Sequence, residues 1–200
     1  MIGTPTLDRK TRRRLATKTE VVAAAWEIAA VEGVGGITIR DLAERVGLKA
    51  PSLYEYFPSK NAVYDAMFAD GWRAFGGVMA ALPRDGDLRT MVSSMAAGLA
   101  RFWVDQPARF SLLCQRPIPG FEPSPQAYAE AVAVLDDIAA QLAVLGIEDR
   151  QAIDLLIAMV TGLVSQQIAN DPPGDRWLRL LGWAVDIFLT SLTERGSATE

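Results

Sequence analysis

The sequence predicts an all-α protein with an N-terminal three-helix domain that contains a helix-turn-helix, over residues 1–66, and a larger helical domain over residues 67–200. Two observations carry this prediction. Residues 38–60 read as two short helices joined by a glycine turn, and apolar residues recur every three or four positions through most of the remaining chain. At 200 residues and 50% hydrophobic content, the chain can build a small core and a larger one.

The N-terminal segment is the most basic part of the chain and leads into an amphipathic helix. Residues 1–60 carry a net charge of +3, the remaining residues carry −7, and all four lysines lie in the first 60 positions. The first cations are Arg9, Lys10, Arg12, Arg13, Arg14 and Lys18. Such a segment beside a helix-turn-helix would lie along DNA phosphates or in the minor groove, although basic termini are equally often only solvated. The acidic remainder indicates that nucleic-acid binding would be confined to one end.

The second helix of the small domain is specified at both ends. Thr38, followed three residues later by Asp41, is typical of a capping box, in which side chains satisfy free backbone N–H groups. Apolar residues then recur at helical spacing, at Ile39, Leu42, Ala43 and Val46. Gly47 stands where a left-handed C-terminal residue is favoured, so we expect a helix of about two turns.

The third helix is predicted to begin near Ala50. Pro51 is tolerated there because N–H groups of the first turn have no intrahelical partner. Leu53 and Phe57 are four residues apart and can pack inward together. The opposite face is polar and carries Lys49, Ser52 and Tyr56. Two short helices in an ordinary helical core would give the same pattern without any DNA.

The motifs of this small domain have a specific combined spacing. They are a first helix with Ala24, Ala25 and Ile28 that stops at Gly33, the segment 38–43, the turn at Gly47, Leu53-Tyr54 with Phe57, and Ser59-Lys60. From about Thr17 to Met67, this pattern resembles the N-terminal domain of the tetracycline-repressor (TetR) family of bacterial transcription regulators. The resemblance covers about a quarter of the chain, and the rest resembles the family only in being helical and of similar length.

The resemblance implies DNA contacts position by position. It makes the start of the second helix a phosphate and groove-edge contact, the start of the third helix the base-facing segment, and the tyrosines and the next lysine phosphate contacts. With the basic arm, the predicted DNA-binding residues are Lys18, Thr38, Arg40, Lys49, Ala50, Pro51, Ser52, Tyr54, Tyr56 and Lys60. Phosphates are bound by such donors and by helix N-termini. For each tyrosine, a core aromatic with a solvated hydroxyl is the alternative.

Two residues depart from the family pattern, and a third places negative charge near the DNA. Lys49 stands where a small hydroxyl residue is common, Pro51 stands where glycine is frequent, and Glu55 places a carboxylate near DNA. The Glu55 carboxylate must turn away from the DNA, pair with a basic side chain such as Arg45, or accept a hydrogen bond from a cytosine amine. We expect it to turn away. The operator sequence therefore does not follow from this helix.

Beyond residue 60, helical periodicity continues with short breaks. Helices are predicted over 61–82, 88–102, 109–115, 126–145, 148–170 and 175–194, with the clearest long loop at the proline-rich stretch 117–125. The last two helices are apolar on more than one face, whereas a surface helix needs only one apolar stripe. The second stripe needs a partner, and a copy of the same chain is the economical one.

Two further sites are predicted in the larger domain. The homodimer interface is expected at Leu155, Ala158, Gly162, Leu163, Leu181, Trp183 and Phe188; a central helix wholly inside its own subunit is the alternative. An effector pocket is expected at Trp72, Met95, Phe102, Trp103, Phe110, Cys114, Tyr128 and Met159. Methionine and aromatic residues at helical spacing more often form a core, which is the alternative for each of these.

Catalysis has little support in this composition. The chain has no histidine and one cysteine, so the commonest general base and metal ligand is absent and no thiol dyad can form. No P-loop, dinucleotide fingerprint or ligand-spaced metal cluster is present, so we predict no cofactor, no metal and no enzyme activity. The lone Cys114 indicates a buried thiol in a reducing cytoplasm. No signal peptide is visible, and the longest apolar run, residues 155–164, is too short to span a membrane.

These observations predict a cytoplasmic, homodimeric transcriptional regulator that binds a palindromic double-stranded DNA operator. A repressor released by a small apolar or amphipathic effector is the favoured form. The alternatives are a ligand-independent or activating regulator, and a helical small-molecule-binding protein without DNA binding. The operator, the effector and the regulated genes are not predictable from the chain.

Overall fold

The computed structural model describes residues 8–197, and within that range it is built from α-helices and short 3-10 turns with no β-strand. This confirms the all-α prediction. The helices are α1 (Arg9–Glu32), α2 (Ile39–Arg45), α3 (Ala50–Leu53), α4 (Lys60–Ala80), α5 (Leu88–Asp105), α6 (Pro107–Cys114), α7 (Pro125–Val144), α8 (Arg150–Asn170) and α9 (Leu181–Ser197). Single 3-10 turns lie at Val34–Gly36 and Leu178–Leu180.

The chain divides into two compact units. The first holds the described residues up to Gly71 together with Ser111–Tyr128, and the second holds Trp72–Phe110 together with the chain from Ala129 onward. All three points of division fall inside helices, the first within α4, the second within α6 and the third within α7. The small N-terminal unit therefore includes a segment from the middle of the sequence.

The core of the first unit follows the spacing of apolar residues in α1, α2 and α4. On α1 the buried positions are Val21, Val22, Ala24, Ala25, Ile28 and Ala29, which lie on one helical face. Leu42, Leu53 and Phe57 are buried against the same interior, with Val63 and Met67 from α4. Leu53 and Phe57 thus pack inward as predicted.

The predicted helix ends are confirmed. The Thr38 hydroxyl accepts a hydrogen bond from the Asp41 backbone N–H at 3.1 Å and donates to the Asp41 carboxylate at 2.6 Å. Gly33 after α1 has φ of 75° and Gly47 after α2 has φ of 67°, a backbone region that other residues adopt at a cost. The turn between α2 and α3 is therefore set by local chemistry.

Residues 111–128 join the first unit through polar and aromatic contacts with α4. The Asp65 carboxylate accepts hydrogen bonds from both the backbone N–H and the hydroxyl of Ser124, at 2.6 and 2.8 Å. The same hydroxyl accepts from the Ala127 N–H at 3.1 Å and so caps the first turn of α7. The Tyr64 and Phe121 rings meet edge to face at 5.6 Å between centroids.

The second unit is built on a cluster of aromatic rings. Trp103 stacks on Phe75 with 4.8 Å between ring centroids, and Trp72, Phe102 and Phe110 surround this pair at 4.8 to 6.2 Å. All five rings are buried. Offset and edge-to-face arrangements at these separations are the favourable ones for aromatic rings. The cluster therefore fills its own space.

Helix α5 packs against α8 and α9 in the same unit. Arg89 of α5 and Asp186 of α9 form a two-pronged ion pair, with Nε to Oδ1 at 2.7 Å and Nη2 to Oδ2 at 3.0 Å. These hydrogen bonds lower the pKa of the Asp186 carboxyl. Both side chains are about half exposed, so the pair orients the helices more than it stabilises them.

The last predicted helix, 175–194, is wrong at its start. The buried Gln167 of α8 accepts hydrogen bonds on its Oε1 from the backbone N–H groups of Trp177 and Leu178. Its Nε2 donates to the carbonyl oxygens of Asp171 and Gly174. These bonds hold the segment after α8 as a turn, so α9 begins only at Leu181.

Helix α8 is long and apolar enough to cross a membrane by length and composition, with a mean hydropathy of 1.6 over 18 residues. Length and composition alone are weak evidence for a membrane span, because the core helix of a soluble protein meets the same test. One face of α8 is buried at Ala152, Ile153, Leu156, Val160, Val164 and Gln167. That face packs against α5 and α9, which accounts for one of its apolar stripes.

Candidate nucleic-acid interface

The recognition segment, residues 49–57, is a single helical turn followed by a tight turn. Lys49 precedes α3 in an extended conformation, and Pro51 occupies its first turn. The side chains of Lys49 and Pro51 are exposed, while Ala50 and Ser52 are half-buried. Because Leu53 and Phe57 anchor the other side, this polar face stays at the surface, as predicted.

The N-terminus of α2 presents one strong cation. Arg40 is exposed in the first turn of α2, where backbone N–H groups carry partial positive charge. The Thr38 hydroxyl is already engaged with Asp41 as both donor and acceptor. Of the two residues predicted there, Arg40 is therefore the better placed to meet a phosphate.

The two tyrosines predicted to contact DNA, Tyr54 and Tyr56, lie in the C-terminal half of the recognition segment, after α3. Tyr54 is 51% exposed, which excludes the alternative that it is a core aromatic. Tyr56 is half-buried, and the centre of its ring lies 5.5 Å from the Arg14 guanidinium carbon. The buried tyrosine of this unit is Tyr64 instead, whose hydroxyl donates to the Val34 carbonyl at 3.1 Å.

The predicted lysine contacts have partners within the chain. The Lys60 ammonium donates to the Gly35 carbonyl at 3.3 Å and lies 5.4 Å from the Tyr64 ring centre. The Lys18 ammonium lies 5.4 Å from the Phe57 ring centre. An ammonium has three donors, so one such bond leaves the others for a phosphate.

Glu55 does not pair with Arg45. Arg45 forms its ion pair with Glu27 of α1 at 2.9 Å, and the Glu55 side chain is exposed. The backbone carbonyl of Glu55 accepts a hydrogen bond from Arg14 Nη2 at 2.8 Å. Sequence reasoning assigned Arg14 only to the basic arm and missed this contact.

The described part of the basic arm is helical. The Asp8 carboxylate accepts from the backbone N–H groups of Lys10 and Thr11 at 2.7 and 3.0 Å, and α1 begins at Arg9. Hydrogen bonds from Thr11, first from its backbone, lower the pKa of the Asp8 carboxyl. The cations from Arg9 onward therefore project from a helix; residues 1–7 lie outside the described range.

Comparison with known proteins bears on this helical domain first. Residues 21–67 match the family model of bacterial regulatory proteins of the tetR family. A stretch of 47 residues is 45% identical to the class A tetracycline repressor protein from transposon 1721 of Escherichia coli. These matches show that the N-terminal domain is similar to that of tetR-family regulatory proteins. The match spans 24% of this chain and 22% of that repressor, about a fifth of its length.

Solved structures extend the likeness to the fold of most of the chain. A transcriptional regulator from Rhodococcus sp. Rha1 superposes with a TM-score of 0.68 at 19% identity, over 87% of this chain and 96% of that one. The transcriptional regulator FadR from Bacillus subtilis, solved in complex with stearoyl-CoA, superposes with a TM-score of 0.64 at 14% identity, over 85% and 96% of the two chains. At such identities the likeness shows the fold alone.

The residues of the predicted effector pocket are divided between the two units. Trp72, Phe102, Trp103 and Phe110 pack in the aromatic cluster of the second unit. Cys114 and Tyr128 fall in the first unit, and both residues are exposed, although burial around the Cys114 thiol raises its pKa to about 12. Met159 lines a surface groove. Helical periodicity correctly placed the four rings inside, but they fill the interior rather than enclose a space.

A small apolar cavity does lie in the second unit. It is lined by Met79, Met95, Ala96, Leu99, Ile138, Leu142, Leu156, Ile157 and Val160. Its volume is about 20 Å³, enough for about one water-sized molecule. Of the predicted pocket residues, Met95 alone lines it. No polar atom contributes to its wall.

The predicted interface residues of α8 and α9 mostly lie at the surface. Trp183 is 66% exposed, Leu155 is 47% exposed, and Ala158 and Gly162 are exposed. Leu163 and Leu181 are half-buried. Phe188 is buried within its own chain at 1% exposure, so it does not belong to this face. A groove of about 250 Å³ runs between Met159, Leu163, Leu180, Trp183, Ala184 and Ile187.

Proposed function

We propose that this chain is a homodimeric transcriptional regulator of the tetR family, that it binds operator DNA through α2 and α3, and that it acts as a repressor. The observation that carries the proposal is the polar face of a capped helix-turn-helix, with Arg40 and Lys49 exposed and Ser52 half-buried beside them. Base edges are read in the major groove by polar side chains on a helix, and phosphates by cations around it.

Charge supports binding at this end alone. The first 60 residues are net positive and the remaining residues are net negative. Attraction to phosphates therefore concentrates on the helix-turn-helix and α1, while the acidic remainder repels DNA. A protein that coats nucleic acid without selection would carry positive charge more evenly.

The exposed apolar face of α8 and α9 supports a dimer. Trp183 and Ile187, one turn apart on α9, are 66% and 48% exposed, and Leu155 on α8 is 47% exposed. Large apolar side chains clustered at a surface are typical of interfaces. A second copy of the chain would cover this face and give each dimer two helix-turn-helix units, as a palindromic operator requires.

The all-apolar cavity supports an apolar or amphipathic effector. The space between Met79, Met95 and Leu142 has a volume of only about 20 Å³, so a ligand larger than water must bind a conformation in which these helices have moved apart. Such a ligand favours that conformation over the present one, which is the condition for control. FadR of Bacillus subtilis, a protein of the same fold, was solved with stearoyl-CoA. A long acyl chain is therefore the first compound class to test.

One helix offers a route for this control. α4 carries Lys60 at its start, directly after the recognition segment, and Met79 of the cavity wall near its end. A shift from mostly competent to mostly incompetent protein needs about 5.5 kcal/mol of differential binding. Burying about 220 Å² of acyl chain unique to one state would supply that, at about 25 cal/mol per Å².

The DNA-binding assignment is tested by two kinds of substitution. We expect Arg40→Ala to weaken binding to a duplex selected from a random pool and to a scrambled duplex alike, and to flatten the salt dependence by about one counterion. Lys49→Ala or Ser52→Ala should instead change base preference by about 1–3 kcal/mol. Fluorescence anisotropy over a salt series measures both effects.

Arg84 provides the matched control, since it is an exposed arginine in the loop between α4 and α5. Arg84→Ala should leave the affinity and the salt slope unchanged. If the purified chain selects no duplex from the pool, the DNA-binding proposal is wrong, and the helical small-molecule-binding protein becomes the better reading. An Arg40→Ala protein with unchanged binding at every salt concentration would contradict the phosphate contact.

The effector assignment is tested with stearoyl-CoA as the probe. We expect it to release the protein from the selected duplex, and saturating duplex to weaken stearoyl-CoA binding by the same factor. Ala96→Leu, which crowds the cavity wall, should reduce probe affinity about tenfold or more, whereas Ala97→Leu, one residue along on the exposed side of α5, should not. Probe affinity that is equal with and without duplex would favour the ligand-independent regulator.

A further inference from the structure

One cation of α1 contacts the recognition segment directly. Arg14 Nη2 donates to the Glu55 carbonyl oxygen at 2.8 Å, and the Arg14 guanidinium carbon lies 5.5 Å from the centre of the Tyr56 ring. Both partners directly follow α3. The contact joins residues 41 positions apart in sequence. It therefore links the start of α1 to the end of the segment that would read DNA.

Apart from Leu53 and Phe57, the two elements joined by Arg14 have little apolar packing. The buried positions of α1 begin at Val21, so residues 9–20, which make up about three turns, place no side chain in the interior. Within residues 49–57, all of which the structure describes, only Leu53 and Phe57 are buried. With so little burial, polar contacts decide how these two elements lie against each other.

The chemistry of the Arg14 contact suits a residue that holds two elements of the protein against each other. Carbonyl groups at the end of a helical turn have no intrahelical partner and carry partial negative charge. A guanidinium bound to such a carbonyl forms a charge-assisted hydrogen bond, stronger than a neutral one. The Tyr56 ring adds a cation–π contact with the same group. Lys18, one turn later on α1, repeats this arrangement over the Phe57 ring at 5.4 Å.

We propose that Arg14 is a positioning residue, which holds the C-terminal end of the recognition segment against α1 and so sets the angle at which α3 presents Lys49 and Ser52. This inference rests on the proposed DNA-binding function for its consequence, though the contact itself does not. It differs from a phosphate contact because the guanidinium acts on the protein backbone. Its loss should therefore reduce discrimination between DNA sequences as well as overall affinity.

The first experiment needs no DNA. Hydrogen exchange of residues 50–57 is measured by mass spectrometry in the full chain and in Arg14→Ala, Arg14→Lys and Arg13→Ala. We expect exchange in this segment to be about three- to tenfold faster in Arg14→Ala. Arg14→Lys keeps a cationic donor and should restore most of the protection, while Arg13→Ala, which removes the neighbouring exposed cation, should match the unaltered chain.

The second experiment measures affinity for the selected duplex and for a scrambled duplex of equal length. In Arg14→Ala the ratio of the two dissociation constants should fall about three- to tenfold. Arg13→Ala should weaken both duplexes alike and leave the ratio unchanged. If Arg14→Ala and Arg13→Ala have equal exchange rates and equal ratios, Arg14 is an ordinary surface cation and the proposal is overturned.

The two experiments separate failure of this inference from failure of the proposed function. If no duplex can be selected, the proposed function fails, and the exchange rates alone decide whether Arg14 holds the segment. Fast exchange in Arg14→Ala would support the positioning role in that case, and unchanged exchange would overturn it.

Discussion

Trp183→Glu is expected to leave the chain monomeric at concentrations where the unaltered chain is dimeric. Trp183 is 66% exposed within one chain and lies on the apolar groove between α8 and α9. Aromatic residues at the centre of an interface contribute about 2–4 kcal/mol, and a buried carboxylate without a partner adds a penalty. The dimer dissociation constant should therefore rise by about 100-fold or more. Sedimentation velocity at micromolar concentration measures this.

Folding should survive the change because the side chain is exposed in the single chain. Val144→Glu is the matched control, since Val144 is an apolar residue at the end of α7 that is 87% exposed. It should leave both the dimer and the melting temperature unchanged. Loss of dimerisation in Trp183→Glu should also lower the affinity for a selected palindromic duplex, because two half-sites must be held at once. A monomeric unaltered chain, or a Trp183→Glu chain as dimeric as the control, would exclude this face as the interface.

Trp103→Ala is expected to lower the free energy of unfolding by about 3–5 kcal/mol. Trp103 is 2% exposed and stacks on Phe75 with further contacts to Trp72, Phe102 and Phe110. Removing the indole leaves a cavity, and the four neighbouring rings lose their van der Waals contacts with it. Urea denaturation, at one chain concentration for all variants, measures the change.

Tyr128→Ala is the comparison for Trp103→Ala, since both residues belong to the pocket predicted from the sequence. Tyr128 is 53% exposed, so its truncation should change the free energy of unfolding by less than about 0.5 kcal/mol. If Trp103→Ala cost less than about 1 kcal/mol, Trp103 would be the wall of an open space and not part of a packed core.

The helix boundaries of the first unit were predictable because their signals are local. Thr38 and Asp41 meet within one turn, and Gly33 and Gly47 adopt a backbone conformation that few other residues accept. A helix end of this kind depends on residues within about four positions, which a sequence shows directly. The inward direction of Leu53 follows from periodicity in the same way.

The pocket was not predictable, because periodicity shows which side chains point inward but not whether they leave a gap. Trp103 and Phe75 occupy each other's space, and the remaining cavity of about 20 Å³ lies along other residues of α5, α7 and α8. Likewise, the late start of α9 depends on the Gln167 hydrogen bonds, and the Arg14 contact with Glu55 joins distant positions. Such features arise from tertiary packing and have no local signal.

Under the proposed function, the single turn of α3, Ala50–Leu53, limits how much base sequence one chain would recognise. Three or four side chains on such an element reach base edges. Selecting one binding site among roughly a million competing sites requires about 20 bits of sequence information, which corresponds to about ten fully specified base pairs. One turn of helix can supply about a third of that. A recognition element of this size is selective in a genome only when two copies bind two half-sites together. The spacing between the half-sites then also contributes to selectivity.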